Sequence, residues 1–250
     1  MTIEGTRLHA VNSLSESIVT ALKPRSLAPG YAARNLLEAT HPLALAPWFI
    51  DRCRRAYLSI DFEKQDGARV LGVTSSLRHE GKTSIAIGIA ASVASDTQRP
   101  TLLLECDLER PSMHRYFDFR MGPGLADVVE GTGSLRILRA TAPTNLFVIP
   151  SGEPREDASR LFYQLSEGQL LEELRPHFGT IVIDLPPMLD IGYSSLASQL
   201  SDRILLVAKY GVTTIDDLEK TVFLLGRKSI AGVILNGTEY KTPEWLRRLL

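Results

Sequence analysis

Cysteine, long apolar runs and an N-terminal leader pattern are all scarce or missing in this sequence of 250 residues. Its two cysteines, Cys53 and Cys106, lie too far apart for a metal-ligand pair and are too few for a disulfide framework, so a reducing cytoplasm is expected. No apolar run approaches the roughly 20 residues that span a bilayer. The polar N-terminus, with Glu4, Arg7 and His9, lacks the apolar core of a signal peptide. Any link to a membrane is therefore expected to pass through a partner protein.

An excess of charge of one sign is also missing. The formal net charge is −1, which predicts no general attraction to nucleic acid or to anionic lipid. The five histidines show no partner pattern, and neither an HExxH motif nor a nucleophile elbow occurs. With 44% hydrophobic residues, the chain has enough apolar material for the core of one large domain.

The first 47 residues differ from the rest. Apolar residues between 11 and 22 have the spacing of one short amphipathic helix. Four prolines then interrupt the stretch: Pro24, Pro29, Pro42 and Pro47. We interpret 1–47 as an arm or linker, with a poorly ordered tail as the open alternative, and 48–250 as the domain.

From residue 70 onward, short apolar runs that do not alternate recur at regular intervals. They are the candidate strands 70–73, 101–104, 146–149, 181–183, 204–207 and 231–234. Such runs are typical of strands buried on both faces of a parallel sheet. Helical patterns separate them at 82–95, 157–175 and 215–226, and Thr214 is the expected N-cap of the last. The alternation predicts a doubly wound α/β fold.

The segment "TSSLRHEGKTS" (74–84) lies between the first strand and the first helix. It ends like a phosphate-binding loop, with Gly81-Lys82-Thr83, although Ser76 occupies the position of the first glycine. Main-chain N–H groups of 77–82 and the helix N-terminus would bind phosphate. Lys82 would neutralise the β- and γ-phosphate oxygens, and the Thr83 hydroxyl would ligate Mg²⁺. This context predicts a P-loop NTPase site.

Two more predicted strands end in carboxylates. "TIVIDLPP" ends its strand with Asp184, and "TLLLECDLERP" ends with Glu105 and Asp107, two residues apart and therefore on one face of the strand. Taken alone, Asp184 could equally cap the next turn. Because ligands of α/β folds bind at the carboxyl edge of the sheet, we expect ATP and Mg²⁺ here, with Thr83, Glu105, Asp107 and Asp184 as metal ligands.

In this order the segments resemble the motifs of bacterial tyrosine kinases, the cytoplasmic P-loop ATPase domains that control capsule and exopolysaccharide synthesis. The loop resembles T-S-x-x-P-G-E-G-K-S/T, with Arg78 and His79 replacing Pro-Gly. "LLLECDLERP" resembles L-L-I-D-x-D-x-R-R-P, with Glu105 and Glu109 replacing an aspartate and an arginine. "IVIDLPP" matches I-I-I-D-x-P-P fully, and "GVILNG" (232–237) resembles a fourth segment.

The resemblance, over about residues 50 to 240, implies an ATP- and Mg²⁺-dependent protein-tyrosine kinase with catalytic residues Lys82, Asp107 and Asp184. It implies that the protein acts at the inner face of the cell membrane together with a membrane chain-length-determinant or activator protein. It is also compatible with a homo-oligomer of the chain. It also places Asn236 where related ATPases contact adenine. The implied nucleotide-binding residues are Ser75, Ser76, Glu80, Gly81, Lys82, Thr83, Ser84 and Asn236.

Within the site, two residues depart from the family pattern. Glu105 is one methylene longer than aspartate. Glu109 puts an anion where the family has a cation, beside a site that must stabilise phosphoryl charge. Glu109→Arg is therefore expected to raise any kinase or ATPase rate.

Other departures concern assembly and the acceptor. The family has an oligomerisation helix with the spacing Glu-x-x-Arg-x-x-Arg, which Asp51 and Arg54 fit while Tyr57 replaces the last arginine. A single Tyr240 stands in place of a tyrosine-rich tail. Two alternatives therefore stay open: a catalytically weak, nucleotide-dependent assembly switch, and a MinD- or ParA-like positioning ATPase. Leu77 disfavours the second, since those proteins have a lysine there.

Overall fold

An eight-stranded sheet forms the centre of the computed structural model, which describes residues 37–39, 43–62, 68–133, 135–193, 196 and 198–238. Its strands are β1 Leu37–Ala39, β2 Arg69–Ser75, β3 Thr101–Glu105, β4 Ile137–Arg139, β5 Leu146–Ile149, β6 Thr180–Asp184, β7 Arg203–Lys209 and β8 Ile230–Asn236. They lie in the order β1-β4-β5-β3-β6-β2-β7-β8. Neighbouring strands are parallel except for β4 and β5, which are antiparallel.

Helices cover both faces of this sheet. They are α1 Pro47–Leu58, α2 Lys82–Asp96, α3 His114–Phe117, α4 Leu125–Glu130, α5 Ala158–Glu167, α6 Leu170–Leu174 and α7 Ile215–Leu225. The first three contribute to the apolar core on one face, and the last four to the core on the other. The predicted doubly wound, mostly parallel α/β fold is therefore confirmed.

All six predicted strands are present, each within two residues of its expected ends. The strands β1 and β4 were not predicted, because three residues are too few for a period to be recognised. Residues 37–39, inside the predicted arm, pair with β4. The apolar pattern at 11–22 and Tyr240 lie outside the described residues.

The predicted helices at 82–95 and 215–226 are confirmed, and the one at 157–175 is divided. Thr214 caps α7, because its hydroxyl oxygen accepts a hydrogen bond from the Asp217 N–H (3.1 Å). The helix predicted at 157–175 breaks at Gly168 into α5 and α6, and a short 3₁₀ turn follows α6. Glycine is about 1 kcal/mol less favourable than alanine inside a helix, which favours a break there. No helix in the described ranges combines the length and the apolar character needed to cross a bilayer.

The helix α1 packs on α2 through a glycine. A Cβ atom at Gly88 would lie 2.5 Å from the Cys53 sulfur and 2.6 Å from the Phe49 ring. Cys53 is 2% exposed, and burial raises the pKa of its thiol to about 12, so it acts as an apolar packing group. The two helices therefore approach more closely than any side chain at position 88 would allow.

We expect Gly88→Ala to lower the free energy of unfolding by about 1–3 kcal/mol, because the added methyl group overfills this contact. Urea unfolding of the purified chain measures the change. In a Cys53→Ala background the same substitution should cost less, since the sulfur is gone. A stabilisation by Gly88→Ala, as helix propensity alone would predict, would rule out this close packing.

Candidate functional site

The loop between β2 and α2 leads directly into a helix N-terminus. It runs through residues 76–81, and α2 begins at Lys82. Gly81 has a φ of +97°, a left-handed conformation that favours glycine, and a Cβ atom there would collide with the Asn236 amide. Unpaired N–H groups at the start of a helix attract anions. The loop is therefore shaped as a phosphate cradle.

Two expected nucleotide-binding residues, Glu80 and Asn236, stabilise this loop from behind. The Glu80 carboxylate accepts hydrogen bonds from the Leu77 N–H (2.8 Å) and from the Thr213 hydroxyl. The Asn236 amide donates to the Glu80 carbonyl oxygen (2.9 Å). Since β8 ends at Asn236, the loop is hydrogen-bonded both within itself and to β8, the strand at the edge of the sheet. In this structure Asn236 contacts the loop.

Ser75 and Ser76 lie beneath the loop and are fully buried. The Ser75 hydroxyl donates to the Leu77 carbonyl oxygen (2.7 Å), and the Ser76 and Thr221 hydroxyls are hydrogen-bonded (2.9 Å). The small polar side chain at position 76 thus allows the loop to pack against α7 and form this hydrogen bond. Together with Glu80 and Asn236, these serines support the loop and are not among the described residues that line the cavity beside it.

That cavity has a volume of about 480 Å³ and lies at the carboxyl edge of the sheet. Five of the residues predicted for the site line it: Gly81, Lys82, Thr83, Ser84 and Asp107. The other lining residues were not predicted for the site; they are Arg78, His79, Arg110, Pro111, Ser112, Arg115 and Tyr116. The Tyr116 hydroxyl is hydrogen-bonded to that of Ser84 (2.9 Å). The cavity is strongly basic, which suits a polyphosphate.

Lys82 is the centre of a buried ion-pair cluster. Its Nζ lies 2.9 Å from Asp107 Oδ2 and 3.3 Å from Asp184 Oδ1. The Thr83 hydroxyl donates to Asp184 Oδ2 (2.7 Å). The register of the strands causes this meeting, because β6 lies between β2 and β3 and pairs with both. The structure therefore brings together Lys82, Thr83, Asp107 and Asp184, as the motifs predicted.

The cluster shifts the pKa values of its members. Burial lowers the pKa of Lys82, but the charges of Asp184 and Asp107 outweigh burial and hold that pKa above its ordinary value. Burial raises the pKa of Asp184 to about 6, against the opposing effects of Lys82 and the Thr83 hydroxyl. Lys82 is thus a permanent cation at neutral pH, and Asp184 has only a modest preference for its charged form.

Glu105, expected to ligate metal, is engaged elsewhere. It lies on the same face of the sheet as Asp184, but the turn that follows folds over it. One carboxylate oxygen accepts the N–H groups of Ser112 (2.6 Å) and Met113 (2.8 Å), and the other accepts that of Ser151 (3.1 Å). Both oxygens are therefore committed to main-chain donors. This geometry argues against Glu105 as a metal ligand, and we assign it to the support of the turn.

The remaining residues fit Mg²⁺. No cluster of three or more acidic, histidine or cysteine side chains with metal-site geometry occurs among the residues that the structure describes. Mg²⁺ in phosphate-transferring sites does not need such a cage, because it is held by one or two carboxylates and by the phosphates themselves. The hydroxyl of Thr83 and the carboxylates of Asp184 and Asp107 supply hard oxygen ligands of this kind.

Arg78 and Glu109, which both differ in charge from the family pattern, contact each other. Arg78 Nη2 donates to Glu109 Oε2 (3.0 Å), and Arg78 Nε lies 3.4 Å from Asp190 Oδ2. The Tyr193 hydroxyl donates to the other oxygen of Glu109 (3.1 Å). Burial and then Glu109 raise the pKa of Tyr193, which keeps it a donor. Glu109 is thus a neutralised anion, and the expectation that Glu109→Arg raises activity loses its premise, because the substitution would break this pair.

The assembly motif on α1 is used within the chain. Tyr57 is buried, and its hydroxyl is hydrogen-bonded to that of Thr180 (3.0 Å). Arg54 Nη2 donates to Asp96 at the end of α2 (3.1 Å), and Asp51 pairs with Arg55 (2.9 Å). The tyrosine at position 57 is therefore a core residue in a place where the family pattern has an arginine.

Sequence comparison finds relatives among bacterial tyrosine kinases. The tyrosine-protein kinase Ptk of Acinetobacter johnsonii is 29% identical over 226 residues, which are 90% of this chain and 29% of Ptk. The chain thus spans less than a third of the length of the curated relatives it matches. No family model matches it.

Structure comparison agrees. The kinase domain of VpsO is 29% identical with a TM-score of 0.66, and the match covers 77% of this chain and 96% of that domain. The septum site-determining protein MinD of Pyrococcus horikoshii, solved with Mg-ADP, has a TM-score of 0.55 at 20% identity, over 73% of this chain and 77% of MinD. This second likeness concerns the fold alone. The relatives of this chain are bacterial tyrosine-protein kinases, and its fold is the P-loop NTPase fold of their kinase domains.

Proposed function

We propose that this chain is an ATP- and Mg²⁺-binding protein-tyrosine kinase domain on the cytoplasmic side of the membrane. Its wider role is to regulate exopolysaccharide or capsule polymerisation or export through a membrane chain-length-determinant or activator protein. The observation that carries the proposal is the meeting of Lys82, Thr83, Asp107 and Asp184 beside a helix N-terminus. The names of the relatives support tyrosine as the acceptor, and the motif resemblance supports the link to polysaccharide.

In this proposal the site residues divide the tasks of phosphate binding, metal binding and proton transfer. The N–H groups of 78–82 and Lys82 would bind the β- and γ-phosphates, because the Leu77 N–H is engaged with Glu80. Thr83 and Asp184 would hold Mg²⁺, which would neutralise phosphate charge. The tyrosine oxygen forms a bond to the γ-phosphorus in line with the bond to ADP, which breaks. Asp107 orients the tyrosine hydroxyl and accepts its proton, or serves as a further metal ligand. Catalysis of this type depends on positioning and charge.

A second candidate is a nucleotide-dependent assembly switch with weak catalysis. The position of Tyr57 favours it, because that side chain is buried in the core and unavailable for the ring contact that the family pattern implies. As a switch, the chain would bind ATP at the same site, and ATP binding would change which protein the chain contacts. A homo-oligomer remains part of either proposal.

Lys82→Ala is expected to raise the dissociation constant for Mg-ATP about 10- to 100-fold, because one charge-assisted contact to phosphate is worth roughly 1.5–3 kcal/mol. Isothermal titration calorimetry of the purified chain measures this change. Lys220→Ala, an exposed lysine on α7, is the matched control and should bind like the wild type. Unchanged affinity in a folded Lys82→Ala variant would refute the site.

Kinase activity separates the two candidates. Incubated with Mg-ATP and a tyrosine-containing acceptor polymer, the wild type is expected to yield phosphotyrosine on an immunoblot, and Lys82→Ala to yield none. Intact ATP binding without phosphotyrosine, with or without a candidate activator peptide, would favour the switch. ATP-dependent dimerisation on DNA or lipid would instead point to a positioning ATPase.

The raised pKa of Asp184 makes stability depend on pH. Since this pKa is about 6 in the folded chain and 3.8 ordinarily, the folded state binds the proton more tightly than the unfolded state. As the pH rises from 4 to 6, the free energy of unfolding of the wild type should fall relative to that of Asp184→Asn, by up to about 1.4 kcal/mol per pH unit. The reason is that the folded state must give up a proton that the unfolded state has already lost. Urea unfolding at a series of pH values tests this. If the free energies of unfolding of the two proteins change in parallel between pH 4 and 6, the pKa of Asp184 is not raised.

A further inference from the structure

The Arg78 guanidinium connects three loops around the cavity. It belongs to the loop before α2, and its partners Glu109 and Asp190 follow β3 and β6. Its side chain is 18% exposed and lines the same cavity as Lys82. In the described part of the chain, Nε and Nη2 have partners and Nη1 has none. An arginine held on one edge therefore keeps donors available toward the cavity.

The partners of Arg78 are themselves fixed. Glu109 accepts a hydrogen bond from Tyr193, which packs against Phe162 with ring centroids 5.2 Å apart. The loop that carries Asp190 is hydrogen-bonded to the phosphate loop, through the Leu189 N–H and the Ser76 carbonyl oxygen (3.0 Å). A surface ion pair between two free side chains contributes little. Here Tyr193 holds the Glu109 carboxylate, and a main-chain hydrogen bond holds the loop that carries Asp190. The position of the guanidinium is therefore restricted before any ligand arrives.

The location identifies the end of the nucleotide that Arg78 would meet. The loops that carry Glu109 and Asp190 continue from the strand ends of Asp107 and Asp184, the proposed Mg²⁺ side. Because Thr83, Asp107 and Asp184 would hold Mg²⁺ beside the phosphates, the terminal phosphate of ATP would lie on this side of the cavity. ADP lacks the γ-phosphate that would reach Arg78. Arg78 is thus placed to distinguish ATP from ADP.

We propose that Arg78 supplies a second cation to the terminal phosphate of ATP, beside Lys82, and that Glu109 is the positioning residue that holds it there. This inference rests on the proposed function and names the residue through which the same site recognises a nucleoside triphosphate. The two departures from the family pattern then form one unit: the anion at position 109 holds a cation that the loop provides at position 78.

The first test compares Mg-ATP and Mg-ADP affinities in Arg78→Ala by calorimetry. ATP affinity should fall about 10-fold or more, and ADP affinity less than about 3-fold. Arg78→Lys, which keeps a point charge but loses the fork of donors, should lie between Arg78→Ala and the wild type. Arg227→Ala, an exposed arginine after α7, is the charge control and should leave both affinities unchanged. Equal losses for ATP and ADP, or no loss, in Arg78→Ala would overturn the proposal.

The second test concerns Glu109. Glu109→Ala should lower the preference for ATP over ADP about 3-fold in the wild-type background, and it should have no such effect when Arg78 is already alanine. An equal loss in both backgrounds would overturn the positioning role. A wild type that binds neither nucleotide would refute the proposed function itself. A wild type that binds both, with Lys82→Ala losing both and Arg78→Ala losing neither, would refute this inference alone.

Discussion

The buried ammonium group of Lys82 imposes the central constraint on this structure. A charge at this depth costs several kcal/mol unless it is paired, so its two carboxylates must come within contact distance. They do so only because β6 lies between β2 and β3 and all three strands end at the same edge. Without ligand, the single ammonium group is paired with both carboxylates. In the proposed complex, phosphate would take the place of the carboxylates around Lys82, and Asp107 and Asp184 would be free to hold Mg²⁺. Such an exchange of ion pairs would leave no buried charge unpaired.

This exchange requires a loop that keeps its shape when the ion pairs change. The hydrogen bonds that determine that shape run behind the loop, through Ser75, Glu80 and Asn236, and do not involve Lys82. Recognition and support are thus separated in space. A loop held from behind presents its N–H groups to phosphate without reorganisation, which lowers the cost of binding.

Sequence alone predicted the buried strands, the helix after the loop, and the convergence of Lys82, Thr83, Asp107 and Asp184, because each depends on local period and on the parallel order of strands. It failed at Glu105, where spacing indicated the correct face but not the turn whose N–H groups occupy the carboxylate. It also treated Arg78 and Glu109 as separate departures. Their contact spans 31 positions and exists only after the fold brings two loops together.

The departures from the family pattern fall into two groups with different consequences. Within the site they are compensated: the glutamate at 105 finds main-chain donors, and the one at 109 finds Arg78. On α1 the change at Tyr57 places a tyrosine in the core, so this position carries no cation. Neither glutamate disturbs the ion pairs of Lys82 with Asp107 and Asp184. The departures from the family pattern therefore leave the proposed phosphate site intact, and the one on α1 removes a cation from that helix.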